Sequence, residues 1–195
     1  MKDALRRKLR DQRSGLSIGL LRQKSAKIIQ QVKQSEVFIN ATRVGIYLAV
    51  NGEADPAELT KATSLESVNK QYYLPVLSNK KNQGLEYVEV TKNSVFKNNQ
   101  FSIPEPIHTE ESLISTDTLD LVIVPLVGFD RKGNRLGMGG GYYDRCFAFK
   151  KHKQTKPILM GFAYDFQEVE PLNAEEWDVP LDSIATESEL IIVPS

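Results

Sequence analysis

The stretch LVIVPLVGF, Leu121–Phe129, runs through Asp130 into RKGNRLGMGGGYYDR, Arg131–Arg145, and its reading decides the fold. The first half is apolar and rich in β-branched residues, the pattern of a strand buried on both faces. The second half is glycine: six of the chain's twelve glycines fall between Gly128 and Gly141. Tyr142–Phe149 then reads as helix. A buried strand that delivers a glycine turn and a helix start belongs to an α/β domain. Glycine adopts φ > 0 and lets bare N–H groups approach an anion closely.

Outward from this core the same alternation recurs. Leu5, Leu9, Leu16 and Leu20 lie near helical spacing, with Arg6, Arg10 and Arg13 on another face. Gly15 breaks that first helix, and Ser17 caps a second one running to about Gln34. Val44–Val50 (VGIYLAV) reads as a buried strand, Asn51-Gly52-Glu53 as a turn, and Asp55-Pro56 as the start of a helix reaching about Ser67. Tyr72–Val76 is a strand, joined through SNKKNQG to Leu85–Val90, whose alternation is that of a half-exposed strand. Lys92–Thr118 is polar, broken by Ile103–Pro106, and expected to be mostly loop. Beyond the central strand Leu119–Val127 come a further buried strand, Pro157–Ala163, and short β segments at Ile184–Thr186 and Leu190–Val193. Strands alternating with helices imply one layered α/β domain over residues 1–195, with a central, largely parallel sheet flanked by helices.

Bulk composition narrows the function. The chain has 195 residues, 41% hydrophobic and 26% charged, which is ordinary for a soluble globular protein. Lys+Arg and Asp+Glu both number 25, so the formal net charge is zero and no nucleic-acid partner is indicated. One cysteine, Cys146, excludes an internal disulfide and a Cys-cluster metal site, and it reads as a small packing residue. No apolar signal core or membrane-length window occurs, so a cytoplasmic protein without a membrane partner is expected. Monomer is the expected state.

Two familiar phosphate motifs do not fit the glycine loop. A P-loop would place Lys and Ser/Thr after its glycines, where Tyr142 stands. A dinucleotide fingerprint would require a third glycine at the same position. What remains is a nest of N–H groups at a helix start, where the macrodipole favours anions, with Arg135 adding charge. Asp144 lies just past the loop, and a carboxylate beside phosphates suits Mg²⁺ with mostly water ligands. A plain glycine-rich turn with Asp144 as a helix-start charge fits the same residues. His108 and His152 sit in polar segments without Ser or Cys partners, so no hydrolytic triad is indicated.

These residues carry a resemblance. Pro125–Arg145, PLVGFDRKGNRLGMGGGYYDR, is similar to the signature of the 5-formyltetrahydrofolate cyclo-ligase (5,10-methenyltetrahydrofolate synthetase) family. Lys2–Arg6 resembles the family's N-terminal Lys-x-x-Leu-Arg element. Val44–Val50 with Glu53 resembles its substrate strand and acidic residue. Ile103–Pro106 resembles its Glu-Pro element, and Trp177–Asp182 its C-terminal Asp segment. The blocks follow the family's order from residue 2 to about 187.

The resemblance implies a Rossmann-like fold of NagB/RpiA-type topology and an ATP-dependent ligase acting on 5-formyltetrahydrofolate, polyglutamylated forms included. Position by position, Arg135, Leu136, Gly137, Met138, Gly139, Gly140, Gly141, Tyr142 and Tyr143 would wrap the ATP phosphates, joined by Lys2 and Arg6 from one helical face. Arg135 and Lys2 would serve catalysis. Leu48, Glu53, Met138, Gly139, Gly140, Gly141 and Tyr142 would meet the folate, with Glu53 accepting hydrogen bonds from the pterin. Asp144 and Asp178 would hold Mg²⁺, although Asp182 suits the second carboxylate on sequence alone. Tyr142 and Tyr143 are either stacking platforms or core anchors, and Lys92–Thr118 is expected to close over the substrate. Outside the family, a sugar-phosphate isomerase or CoA-transferase-like enzyme, or a non-catalytic folate- or nucleotide-binding module, would also use a glycine turn at a strand end.

Overall fold

A computed structural model describes residues 2–61, 70–79, 84–152 and 155–194. The chain opens with three helices, α1 (Lys2–Ser14), α2 (Ile18–Gln34) and α3 (Glu36–Asn40). Ser17 caps α2 as its sequence position suggests, its hydroxyl accepting from the Leu20 N–H at 3.3 Å. Ser35 serves two helices at once: its Oγ donates to the Val32 carbonyl at 2.7 Å and accepts from the Phe38 N–H at 3.2 Å. Helix α2 turns Ser25, Ile28, Ile29 and Val32 inward, the i, i+3, i+4, i+7 spacing of one buried face.

Eight strands form the main sheet: β1 (Arg43–Gly45), β2 (Gln71–Leu77), β3 (Leu85–Val90), β6 (Leu113–Ile114), β7 (Leu121–Pro125), β10 (Ile158–Phe162), β11 (Ser183–Ala185) and β12 (Leu190–Ile192). Their order is β12-β11-β10-β7-β1-β2-β3-β6. The central pairs β11–β10, β10–β7, β7–β1 and β1–β2 are parallel, whereas β12, β3 and β6 add antiparallel edges. Period-2 alternation sorts β7 between two cores: Leu121 and Ile123 join Ile28, Val32 and Phe38, while Val122 and Val124 join Phe129 and Phe147. Both faces are covered, which is why the sequence of β7 is continuously apolar. Truncating fully buried Ile123 to alanine is expected to destabilise the protein by about 2–5 kcal/mol.

Several sequence expectations change at their edges. The strand expected over Val44–Val50 keeps its ladder only through β1, with one further bond from the Ile46 N–H to the Tyr73 carbonyl at 2.9 Å. Beyond it the backbone bends into a turn in which Asn51 and Gly52 are left-handed (φ 52° and 75°). Asp55 Oδ1 caps the Ala57 N–H at 2.9 Å, but the element it starts is a 3-10 turn, Ala57–Thr60. The expected continuation to Ser67 lies outside the described residues. Strand β3 is more buried than its alternation suggests, because β6 flanks it and Cys146 packs on it. The segment Lys92–Thr118, expected as loop, holds β6 and a hairpin, β4 (Phe96–Asn98) with β5 (Pro104–Pro106). Helix α4 (Tyr142–Cys146) stops early and yields to a 3-10 turn, Ala148–His152. Among the described residues, no helix is long and apolar enough to cross a membrane.

Candidate active site

The carboxyl ends of β1, β2 and β7 open into one cavity of about 1060 Å³, the place where open α/β sheets bind ligands. Leu126 there continues β7. The chain then forms a small hairpin, β8 (Gly128–Phe129) paired with β9 (Arg135–Leu136), within the stretch expected to be the end of a strand and a loop. Asp130, buried at its turn, accepts from the N–H groups of Lys132, Asn134 and Leu172 at 2.8–3.0 Å and from Asn134 Nδ2 at 2.8 Å. That clamp fixes the turn from which β9 sets out toward the glycine loop.

From β9 the guanidinium of Arg135 donates to the Val179 carbonyl and to Asp144 Oδ1, and Asp144 Oδ1 also accepts the Val179 N–H at 3.1 Å. Gly137–Gly141 follow, with Gly139 at φ 99° and Gly141 at φ 62° as the residue preceding α4. Only five residues long, α4 carries a small macrodipole, so the exposed N–H groups and the cations dominate the field here. The cations come from α1. Arg6 Nε donates to the Gly137 carbonyl at 2.9 Å, and Lys2 Nζ bonds Glu175 at 3.1 Å. A wall of N–H groups lined with three cationic side chains can neutralise an oligophosphate.

The opposite end is more apolar and carries two carboxylates, Glu53 and Glu105, the latter accepting from the Leu77 N–H at 3.0 Å and from Asn99 at 2.8 Å. Leu48, Tyr47 and Glu53 come from the segment after β1, Phe101 and Ile103 from the β4–β5 hairpin, and Tyr142 from α4. Phe101 meets the Tyr142 ring edge-on at 5.9 Å between centroids, whereas Tyr143 stacks on Phe147 at 6.3 Å. Both tyrosines line the cavity and pack on the second core cluster, so each serves as wall and anchor at once. Glu53 is only 9% exposed, its Oε2 accepting the Val50 N–H at 3.1 Å. Burial pushes its carboxyl above the usual value, while the Val50 N–H and the Arg13 guanidinium pull back.

Every residue expected at the site lines this one cavity: Lys2, Arg6, Leu48, Glu53, the run Arg135–Asp144 and Asp178. The buried side chain of Leu136 leaves mainly its backbone for that purpose. Of the two C-terminal carboxylates, Asp178 lines the cavity, while Asp182 accepts the Leu159 N–H at 2.7 Å and pairs with Lys150 at 3.1 Å. Among the described residues no cluster of three or more metal-ligating side chains occurs. Asp144 and Asp178 alone suit a Mg²⁺ that arrives with phosphates and keeps its waters, rather than a resident metal. Sequence reading missed Arg13, set on a face apart from the leucines yet 2% exposed behind Glu53, and it missed Trp177 and Phe101 at the rim. Large exposed aromatics in polar segments, 67% and 52% exposed respectively, are the signal that would have pointed to the last two.

The fold and the cavity define a class: an α/β protein with a glycine turn flanked by cationic side chains and an adjoining, more apolar pocket at the carboxyl edge of its sheet. Within that class the chain belongs to the 5-formyltetrahydrofolate cyclo-ligase family, whose model matches residues 1–187. It is 40% identical to the 5-formyltetrahydrofolate cyclo-ligase of Haemophilus influenzae over 144 residues, 74% of this chain and 75% of that one. It is 38% identical to the Escherichia coli K12 enzyme of the same name, over 78% of this chain and 81% of that one. The NMR structure of Aquifex aeolicus 5,10-methenyltetrahydrofolate synthetase superposes with a TM-score of 0.78 at 31% identity, covering 100% of this chain and 93% of that one.

Proposed function

We infer that the chain is an ATP-dependent ligase that converts 5-formyltetrahydrofolate to 5,10-methenyltetrahydrofolate with release of ADP and phosphate. The observation that carries this reading is the continuity of the cavity. A cationic, N–H-lined wall and an apolar pocket with a buried carboxylate share one space of about 1060 Å³, so two ligands can meet there. A formyl oxygen bound to carbon is a poor leaving group. Transfer of the γ-phosphoryl group to it breaks the bond to ADP and makes the oxygen a good one. The position-10 nitrogen then attacks the same carbon, loses its proton, and phosphate departs with the former formyl oxygen. Catalysis is chiefly positioning and charge neutralisation.

In this reading Gly137–Gly141 and the neighbouring Leu136, Tyr142 and Tyr143 cradle the phosphates, and Arg135, Lys2 and Arg6 offset their charge. Glu53 accepts N–H groups of the pterin, which packs between Leu48, Met138 and Tyr142. Asp144 and Asp178 hold Mg²⁺, which screens phosphate charge when bound. Residues 1–195 act as one catalytic domain, monomeric and cytoplasmic, taking polyglutamylated folate as well and using neither nucleic acid nor membrane. The test is the appearance of the methenyl chromophore when purified protein meets ATP, Mg²⁺ and 5-formyltetrahydrofolate. Absence of an ATP-dependent signal overturns the reading, and ligand binding without turnover identifies a binding module instead.

A further inference from the structure

The inward stripe of α1 is unusual. Lys2 and Arg6 line the cavity, Leu9 is buried under Gly128, and one turn further Arg13 is buried at 2% exposure. An arginine seldom lies so deep without a full set of hydrogen bonds. Here Nε has no partner among the described residues, and the nearest carboxylate oxygen, Glu53 Oε1, lies 3.8 Å from Nη1. That separation is an ion pair and too long for a good hydrogen bond. The aliphatic stem packs against the turn that precedes Glu53: a Cβ placed on Gly52 would meet Arg13 Cγ at 3.5 Å. The carboxylate is thus held by its turn, by the Val50 N–H and by one buried charge, while Glu53 lines the cavity.

We propose that Arg13 is a positioning residue for the folate: from the buried face of α1 it holds Glu53 as an oriented carboxylate at the cavity floor. The proposal rests on the reading of Glu53 as the pterin's acceptor. An N–H-bearing ring needs an acceptor that stays ionised after water has been excluded, and a buried carboxylate tends to take up a proton instead. Among the described residues the other ionisable groups facing Glu53 are Tyr47, from the segment after β1, and Tyr143, from α4. Burial pushes both phenols up, so both are neutral and neither supplies a positive charge. Arg13 is the cation on that side.

The experiment measures 5-formyltetrahydrofolate binding directly by calorimetry, without ATP, beside the KM for ATP. Arg13→Met keeps the volume and removes the charge. We expect its folate affinity at pH 7 to fall about tenfold, the acid limb of binding to move up by about one pH unit, and the KM for ATP to stay unchanged. Arg13→Lys should recover most of the loss. Unaltered folate affinity and pH profile, or equal losses for folate and ATP, would overturn the proposal. If Arg13→Met does not fold, Glu53→Gln is compared with the Glu53→Gln/Arg13→Met double variant. Equal affinities support action through Glu53, and a further loss on removing Arg13 overturns it. Wild-type protein that binds folate but forms no chromophore defeats the ligase reading alone; wild-type protein that binds no folate defeats both.

Discussion

Arg135 and Asp144 face each other across the glycine loop, guanidinium nitrogen to carboxylate oxygen at 2.5 Å, and both hold Val179, one through its carbonyl and the other through its N–H. Three segments of chain are tied at one point: the end of the β8–β9 hairpin, the start of α4 and the C-terminal Asp segment. Under the proposed function a bound nucleotide would bring Arg135 a phosphate and Asp144 a magnesium ion, and the pair would then part as each takes its ligand.

Asp144→Asn tests that exchange. The amide keeps the shape and can still accept the Val179 N–H, but it carries no charge for a metal. Turnover should drop at least about a hundredfold, with the melting temperature within a few degrees of wild type. Near-normal activity would remove Asp144 from the magnesium role.

Two glycines of the loop should respond differently to alanine. At Gly137 nothing lies within 4 Å of an added Cβ, so the fold tolerates it and the methyl enters the space assigned to phosphate. The KM for ATP is expected to rise about tenfold with no change in melting temperature. At Gly139 the φ of 99° disfavours any side chain, and Arg6 Cζ at 3.9 Å is an ordinary contact. Gly139→Ala should therefore destabilise the protein by about 1–3 kcal/mol through backbone strain alone, visible in denaturant unfolding.

Much of the frame was legible because it rests on local chemistry. The Ser17 cap, the break at Gly15 and the apolar run of β7 announce themselves within a few residues. The β4–β5 hairpin was not legible, since Phe96–Asn98 is exposed throughout and lacks alternation, its shape coming from contacts such as Glu105 with the Leu77 N–H at 3.0 Å and Asn99 at 2.8 Å. Arg13 was misplaced for a related reason. Charge on a helix normally marks the wet face, and its partner Glu53 lies two helices and a strand further along the chain. The cavity-lining residues in the glycine run were legible as a constellation, because unusual backbone needs unusual composition.

Asp120 offers a prediction far from the cavity. At the start of β7 it accepts the N–H groups of Thr42 and Arg43 at 2.9 and 3.0 Å and pairs with Lys156 at 2.7 Å, joining the first ends of three strands. Burial alone would raise its carboxyl, but the Arg43 N–H, Lys156 and the Thr42 N–H outweigh that and hold it below its ordinary 3.8. The contribution to stability is therefore full above that value and disappears as pH falls through the lowered one. Asp120→Ala should destabilise by about 1–3 kcal/mol at neutral pH with KM values unchanged, and the gap from wild type should close in strong acid.

Cys146 should be chemically silent. Its thiol is buried, donates to the Leu85 carbonyl at 3.4 Å, and is pushed up to about 12 by burial. A thiol reagent at pH 8 should label it only after unfolding. Stoichiometric labelling of folded protein would show that α4 opens.

Helix α1 buries only Leu9 and Arg13 along its thirteen residues, yet its inward side brings Lys2 and Arg6 to the cavity and Arg13 behind Glu53. Such a helix is poorly anchored by the protein alone. Nucleotide and folate, once bound, would occupy the volume that a hydrophobic core fills elsewhere, so the substrates act as the missing interior of this part of the fold. Ligand-induced protection from proteolysis or hydrogen exchange should then be greatest in α1, and the ligand-free enzyme should be cut there first.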